Sequence, residues 1–166
     1  MKIVIDSCIF IEIILHQEKE DECTKKLYEY PGSDLFVTSK IIKEVSCRID
    51  EEVFKNFEDK IRNYLREEIL LKDMKMMREE FYSIFESWLE KCNLIHLNND
   101  CEDLEKIKGK INGIRFDTVK SDSDKNNLLI SISQGIDLFL TKDGPIGKAK
   151  NSIQKISNRK LQIECI

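Results

Sequence analysis

The chain has 166 residues, 41% of them apolar and 35% charged, with a formal net charge of −4 and a pI near 5.4. That length suits one domain with a real core, and that composition excludes a disordered chain. The acidic balance excludes a broadly basic nucleic-acid binder, although local patches and bound cations still set the field at a site.

Residues 2–5 (KIVI) read as a short buried strand ended by Asp6 and Ser7. The following IFIEIIL reads as a helix, capped by Asp6 or Ser7 through acceptance from its free N–H groups. Lys2 ahead of an apolar run has the outline of a secretory leader. Asp6 and Glu12 interrupt that run and no small-residue cleavage site follows, so the segment is expected to belong to the fold. Glu18–Tyr30 reads as a second helix with Cys23, Leu27 and Tyr28 on one side, stopped by Pro31-Gly32. LFV (35–37) is a second strand. Thr38-Ser39 then cap a helix whose buried face is Ile41, Ile42, Val45 and Ile49, with Glu44 at its edge.

Residues 51–92 read as two longer helices. Val53, Phe54, Phe57, Ile61, Tyr64 and Leu65 line the first; Met74, Met77, Phe81, Ile84, Phe85, Trp88 and Leu89 line the second. Helical spacing alone predicts core packing for this stripe, and a partner surface or dimer seam is the alternative. LIHL (94–97) reads as a third strand, Asp100 as the cap of a helix through about Asn112, and 113–123 as a loop.

From Asp124 to Asp143 the chain (DKNNLLISISQGIDLFLTKD) reads as helix, tight turn and strand. Leu128, Leu129 and Ile132 give the helix its apolar stripe, and Gly135 stands where a left-handed cap would end it. Leu138, Phe139 and Leu140 form a continuous apolar run, as in a strand covered on both faces. Gly144-Pro145 opens a last helix and LQIECI closes the chain as a fifth strand.

Strands alternating with helices predict an α/β fold, a three-layer α/β/α sandwich around a mainly parallel five-stranded sheet. Without repeats or linkers, residues 1–166 are expected to form a single domain with a helix-rich insertion at about 51–92. No uninterrupted apolar stretch is long enough to span a membrane. The six cysteines (8, 23, 47, 92, 101 and 165) lack C-x-x-C spacing and read as thiols of a reducing, cytoplasmic compartment. His16 and His96 are too isolated for a histidine-based metal centre.

In a parallel sheet with right-handed crossovers, Asp6 and Asp143 follow strands at the same, carboxyl side, where open α/β sheets place their ligands. Glu44 and Asp124 reach that crevice from flanking helices. Asp122 competes with Asp124, but a shift of two residues turns it away from the pocket. Four carboxylates in one pocket repel unless cations occupy it, and hard oxygen donors favour Mg²⁺ or Mn²⁺. Two such ions would activate a water and stabilise the leaving oxygen of a phosphodiester. Taken singly, each acid is equally a cap, a solvated helix residue or a turn residue; the ordered set carries the reading.

VIDSCIFIEI, TSKIIKEV and DKNNLLISISQGIDLFLTKD together resemble PIN-domain nucleases, especially the VapC-like ribonucleases of toxin–antitoxin pairs. Asp124 precedes Thr141 by 141 − 124 = 17 residues and Asp143 comes two later, which matches that family's spacing. The resemblance covers both ends of the chain and leaves about 46–120 without a motif. It implies that Asp6, Glu44, Asp124 and Asp143 are the metal-site acids, with Ser7 and Thr141 as hydroxyl positions that orient them or the bound water. It also implies a divalent-metal-dependent endoribonuclease, with RNA as substrate, an antitoxin protein as partner, and a homodimer. The family often has Asn two residues after the first Asp, where Cys8 stands here. Cys8 and the long insertion motivate an alternative, a catalytically degenerate PIN module that binds RNA or a protein partner. Cys8 also disfavours a haloacid-dehalogenase-like phosphatase, which would need an Asp at that position. Lys40, Lys43, Arg48, Lys125, Lys142 and Lys148 lie near the acids in sequence and are candidates to steer phosphates.

Overall fold

In the computed structural model the described residues are 1–63, 67–114 and 121–166, the side chains of 59–63, 67–69 and 121 excepted. Five strands form one sheet: β1 (Lys2–Ile5), β2 (Asp34–Thr38), β3 (Cys92–Ile95), β4 (Leu138–Thr141) and β5 (Gln162–Cys165). Their order is β3-β2-β1-β4-β5 and all four pairings are parallel. The α/β/α architecture expected from the alternation of strands and helices is the one observed.

The chain moves from β1 outward to β2 and β3, then returns to β4 beside β1 and continues to β5. Right-handed crossovers therefore put the helices before β3 on one face and those after it on the other. On the first face α1 (Ser7–Ile14) packs against α2 (Glu20–Tyr28), α3 (Ser39–Asn63) and α4 (Glu67–Leu89). On the second, α5 (Leu104–Asn112) packs on α6 (Ser121–Ser133) and α8 (Lys150–Ile156), with α7 (Gly144–Lys148) beside β5. The direction of winding reverses between β1 and β4. That reversal opens a crevice at the strands' carboxyl ends, bounded by the residues just after β1 and β4.

Burial follows from this layering. Ile3, Val4, Ile5, Phe139 and Leu140 of the two central strands are fully buried, as expected of strands covered on both faces. Phe10 of α1 meets Phe85 of α4 edge-to-face, with ring centroids 5.7 Å apart, and so ties the long helices to the sheet.

Several boundaries differ from the sequence reading. The helix capped at Thr38 does not stop before residue 51; α3 runs unbroken to Asn63, because 46–52 contains no Gly or Pro to end it. Its cap is the Thr38 hydroxyl, which accepts the Ile41 N–H at 3.2 Å. β3 starts at Cys92, two residues earlier than expected. Asp100 does not cap α5, whose preceding residue is Asp103 in the left-handed region (φ 64°). α6 begins at Ser121, so the expected loop is shorter and Asp124 lies inside the first helical turn. The single last helix is two short ones that meet at Ala149.

The apolar stripe on α3 and α4 divides. Val53, Phe57, Phe85 and Trp88 are buried, whereas Phe54 is more than half exposed, as is Met76, which lies off that stripe. Ile61, Tyr64 and Leu65, expected on the same stripe, lie outside the residues whose side chains are described. Tyr28 faces solvent, while its helix-mates Cys23 and Leu27 are buried. All six cysteines are free thiols. Among the described residues no helix is long and apolar enough to cross a membrane.

Candidate active site

Ile5 of β1 pairs with Leu140 of β4, so the next residues, Asp6 and Thr141, stand side by side at the carboxyl edge. The Asp6 N–H continues the ladder to the Leu140 carbonyl at 3.0 Å. Its carboxylate caps α1: Oδ1 accepts the Ser7 N–H at 2.8 Å. Oδ2 accepts the Thr141 hydroxyl at 2.6 Å and the Cys8 thiol at 3.2 Å. Asp6 is only 4% exposed. Burial raises its pKa above the usual carboxylate value; the three hydrogen bonds oppose that rise, and the negative charge of Glu44 adds to it.

Thr141 is fully buried and ties two acids together, because its Oγ1 also accepts the Asp143 N–H at 2.9 Å. Asp143 caps α7 by accepting the Ile146 N–H on Oδ1 at 3.3 Å, with Pro145 in the first turn. Its main-chain oxygen lies 3.9 Å from the Cys165 thiol at the end of β5. Burial and then the charge of Asp143 raise the pKa of that thiol, Lys19 opposes the rise, and Asp6 adds a smaller one.

The other two acids arrive on helices, as their positions in the sequence suggested. Glu44 accepts the Ser123 hydroxyl across the α3–α6 contact, and its charge is felt at Asp6. Asp124 follows Ser123 and is 7% exposed, whereas Asp122 faces solvent. One turn further on, Asn127 is fully buried, and its Oδ1 accepts the Thr38 hydroxyl at 2.7 Å. That bond pins α6 to the carboxyl end of β2, the element that launches Glu44's helix.

Cys8 fills the gap between β1 and β4. Its Sγ accepts the Lys142 N–H at 3.0 Å and lies 3.5 Å from Thr141 Oγ1. Burial, followed by the charge of Asp6, pushes the thiol's pKa well up, so it stands in this wall as a neutral group.

Sequence reasoning missed three of these supports. Asn127 is a polar residue on a helix judged by its apolar stripe, Ser123 lies in a stretch read as a loop, and Glu12 is an acid inside an apolar run. A polar residue at such a place is the signal available in advance. Ser7 supplies its backbone N–H, and among the described residues its hydroxyl makes no hydrogen bond. Of the cations considered for phosphate steering, Arg48 pairs with Glu51 at 2.9 Å, Lys125 donates to the Asn112 carbonyl at 3.3 Å, and Lys142 pairs with Glu12. Lys40, Lys43 and Lys148 are exposed.

The donor set fits a hard divalent cation in kind: carboxylate and hydroxyl oxygens, with the neutral thiol as wall. Among the described residues no lysine or arginine forms an ion pair with Asp6, Glu44 or Asp143. Among the same residues no three Asp, Glu, Cys or His side chains are drawn into a metal-holding group. Asp6, Asp143 and Glu44 are instead held by local donors.

No family model and no curated protein matches the chain in sequence. Among solved structures it is similar to VapBC2 from Rickettsia felis bound to a DNA fragment from their promoter, with a TM-score of 0.54 and 13% identity over 98% of each chain. At that identity the likeness is one of fold, and it spans the whole sheet with its flanking helices.

Proposed function

We propose that the chain is a divalent-metal-dependent endoribonuclease of the PIN type, hydrolysing RNA phosphodiesters to leave 3′-hydroxyl and 5′-phosphate ends. The observation that carries this reading is the pairing at the topological switch point. Asp6 and Asp143 are joined through one buried hydroxyl, Glu44 is felt electrostatically at Asp6, and among the described residues no basic side chain pairs with the three. Asp6, Asp124 and Asp143 would hold Mg²⁺ or Mn²⁺, and Glu44 would hold metal or orient water. The ion, when bound, lowers the pKa of a water and offsets charge on the leaving oxygen. Thr141 keeps Asp6 turned into the crevice, Ser123 does the same for Glu44, and Cys8 closes the floor between the strands.

The sequence resemblance and a fold shared with a VapBC2 chain support a place in a toxin–antitoxin pair, with a small antitoxin protein as partner. The exposed Phe54 and Met76 on the α3–α4 hairpin offer apolar surface for self-association as a homodimer. We read 1–166 as one cytoplasmic domain, with that hairpin as its insertion.

A degenerate module, binding RNA or a protein without cutting, is the second reading. It is favoured by Asp6, Asp143 and Glu44 being held by local donors, with no three metal-binding side chains grouped among the described residues. One experiment separates the two. Total RNA is incubated with the protein with and without Mg²⁺ or Mn²⁺ and run on a denaturing gel. Cleavage that needs the metal and is lost in Asp6→Asn supports the nuclease; intact RNA in every lane overturns it.

A further inference from the structure

Lys142 lies between Thr141 and Asp143, two residues of the acidic crevice. Its backbone is part of the wall, through the N–H donated to Cys8 Sγ at 3.0 Å. Its side chain goes elsewhere. Nζ donates to Glu12 Oε1 on α1, and the other oxygen of Glu12 accepts the Lys19 N–H at 2.8 Å. Glu12 is only 3% exposed, inside the apolar run IFIEIIL, whereas Lys142 is 31% exposed.

A carboxylate buried at this place is costly, and an apolar side chain there would continue the run on either side. What the acid does is hold the lysine. Released from Glu12, the ammonium group would ride on a flexible stem from the residue next to Asp143, whose carboxylate, among the described residues, pairs with no cation. A tethered monovalent cation would then compete for the oxygens that a divalent ion needs.

We propose that Glu12 is a positioning residue that sequesters Lys142 and thereby keeps the crevice acids open to a divalent cation. This rests on the metal-site reading above. It differs from a staple between α1 and the end of β4, which would hold the fold together without touching metal affinity.

The test is Mn²⁺ calorimetry with thermal unfolding, in the absence of RNA, on wild type, Glu12→Gln, Lys142→Met and the double variant. Glu12→Gln is expected to bind Mn²⁺ more weakly by ~10-fold or more, the usual cost of losing a support behind a metal ligand. Adding Lys142→Met is expected to restore the wild-type affinity, since the competing cation is gone. Where Glu12→Gln does not fold, Glu12→Asp, which shortens the reach and keeps the charge, is expected to give the same ordering. Wild-type affinity in Glu12→Gln, or a double variant as weak as the single one, overturns the inference and leaves the staple. Wild type that binds no Mn²⁺ overturns the metal-site reading itself.

Discussion

Thr141 and Asp6 are linked across the crevice: the threonine hydroxyl donates to Asp6 Oδ2 at 2.6 Å while accepting the Asp143 N–H at 2.9 Å. One buried side chain therefore orients the carboxylate after β1 and the turn after β4. Replacing it by Val keeps the shape and removes both bonds. Thr141→Val is expected to lower metal affinity by ~10–100-fold and stability by ~1–3 kcal/mol. Thr141→Ser should recover most of both. Calorimetry with Mn²⁺ and urea unfolding of the two variants check this; a loss in Ser with little loss in Val would point to the methyl group's packing instead.

Asp6 sits buried, with a pKa raised chiefly by that burial, so its charge costs the metal-free protein stability at neutral pH. The sign is that of a group whose stabilising contribution is present below its unfolded value and is lost as pH rises through the folded one. Asp6→Asn removes that cost and is expected to raise the melting temperature of the metal-free protein at pH 7 while abolishing RNA cleavage. A lower melting temperature together with lost activity would mean that the carboxylate is needed for the fold.

Glu164 gives the opposite sign. Burial pushes its pKa up, but hydrogen bonds from Lys26 and Tyr30 outweigh it and bring the value below the usual one. Lys26 Nζ lies 2.5 Å from Glu164 Oε1, and Tyr30 donates to Oε2, joining the end of α2 and its following turn to β5. The stability this gives is complete above the unfolded pKa of Glu and is lost as pH falls through the lowered folded value. Glu164→Gln is expected to lower the melting temperature at pH 7 and to melt with wild type once pH has passed below both values. A constant difference across the acid range would contradict the linkage.

Phe85 tests the attachment of the long helices. It is 1% exposed and stacked edge-to-face on Phe10. Phe85→Ala is expected to cost ~3–5 kcal/mol, measured by urea unfolding. Phe54→Ala, on the exposed side of the same hairpin, should leave monomer stability within ~0.5 kcal/mol.

Much of this was legible in the residues. The continuous run Leu138–Leu140 and the short run Ile3–Ile5 declared strands covered on both faces, and alternation with helices declared the sandwich. That Asp6 and Asp143 follow strands at the same, carboxyl side was expected from parallel pairing; that Thr141 joins them was not. What was not legible is where helices end when no Gly or Pro ends them. Residues 46–52 carried α3 straight through an expected break, and the start of α6 at Ser121 had no periodicity to announce it. Thr38–Asn127 and Lys142–Glu12 were equally hidden, because side-chain partners far apart in sequence leave no local pattern. Polar residues at apolar positions marked where to look, but not whom they would meet.

The most direct measurement of the central claim is Mn²⁺ titration calorimetry of the wild-type protein beside Asp6→Asn and Asp143→Asn, with circular dichroism to establish that all three are folded. The account predicts saturable binding to wild type and a large loss in both variants. Equal binding in all three, or none to wild type at millimolar Mn²⁺, would contradict it.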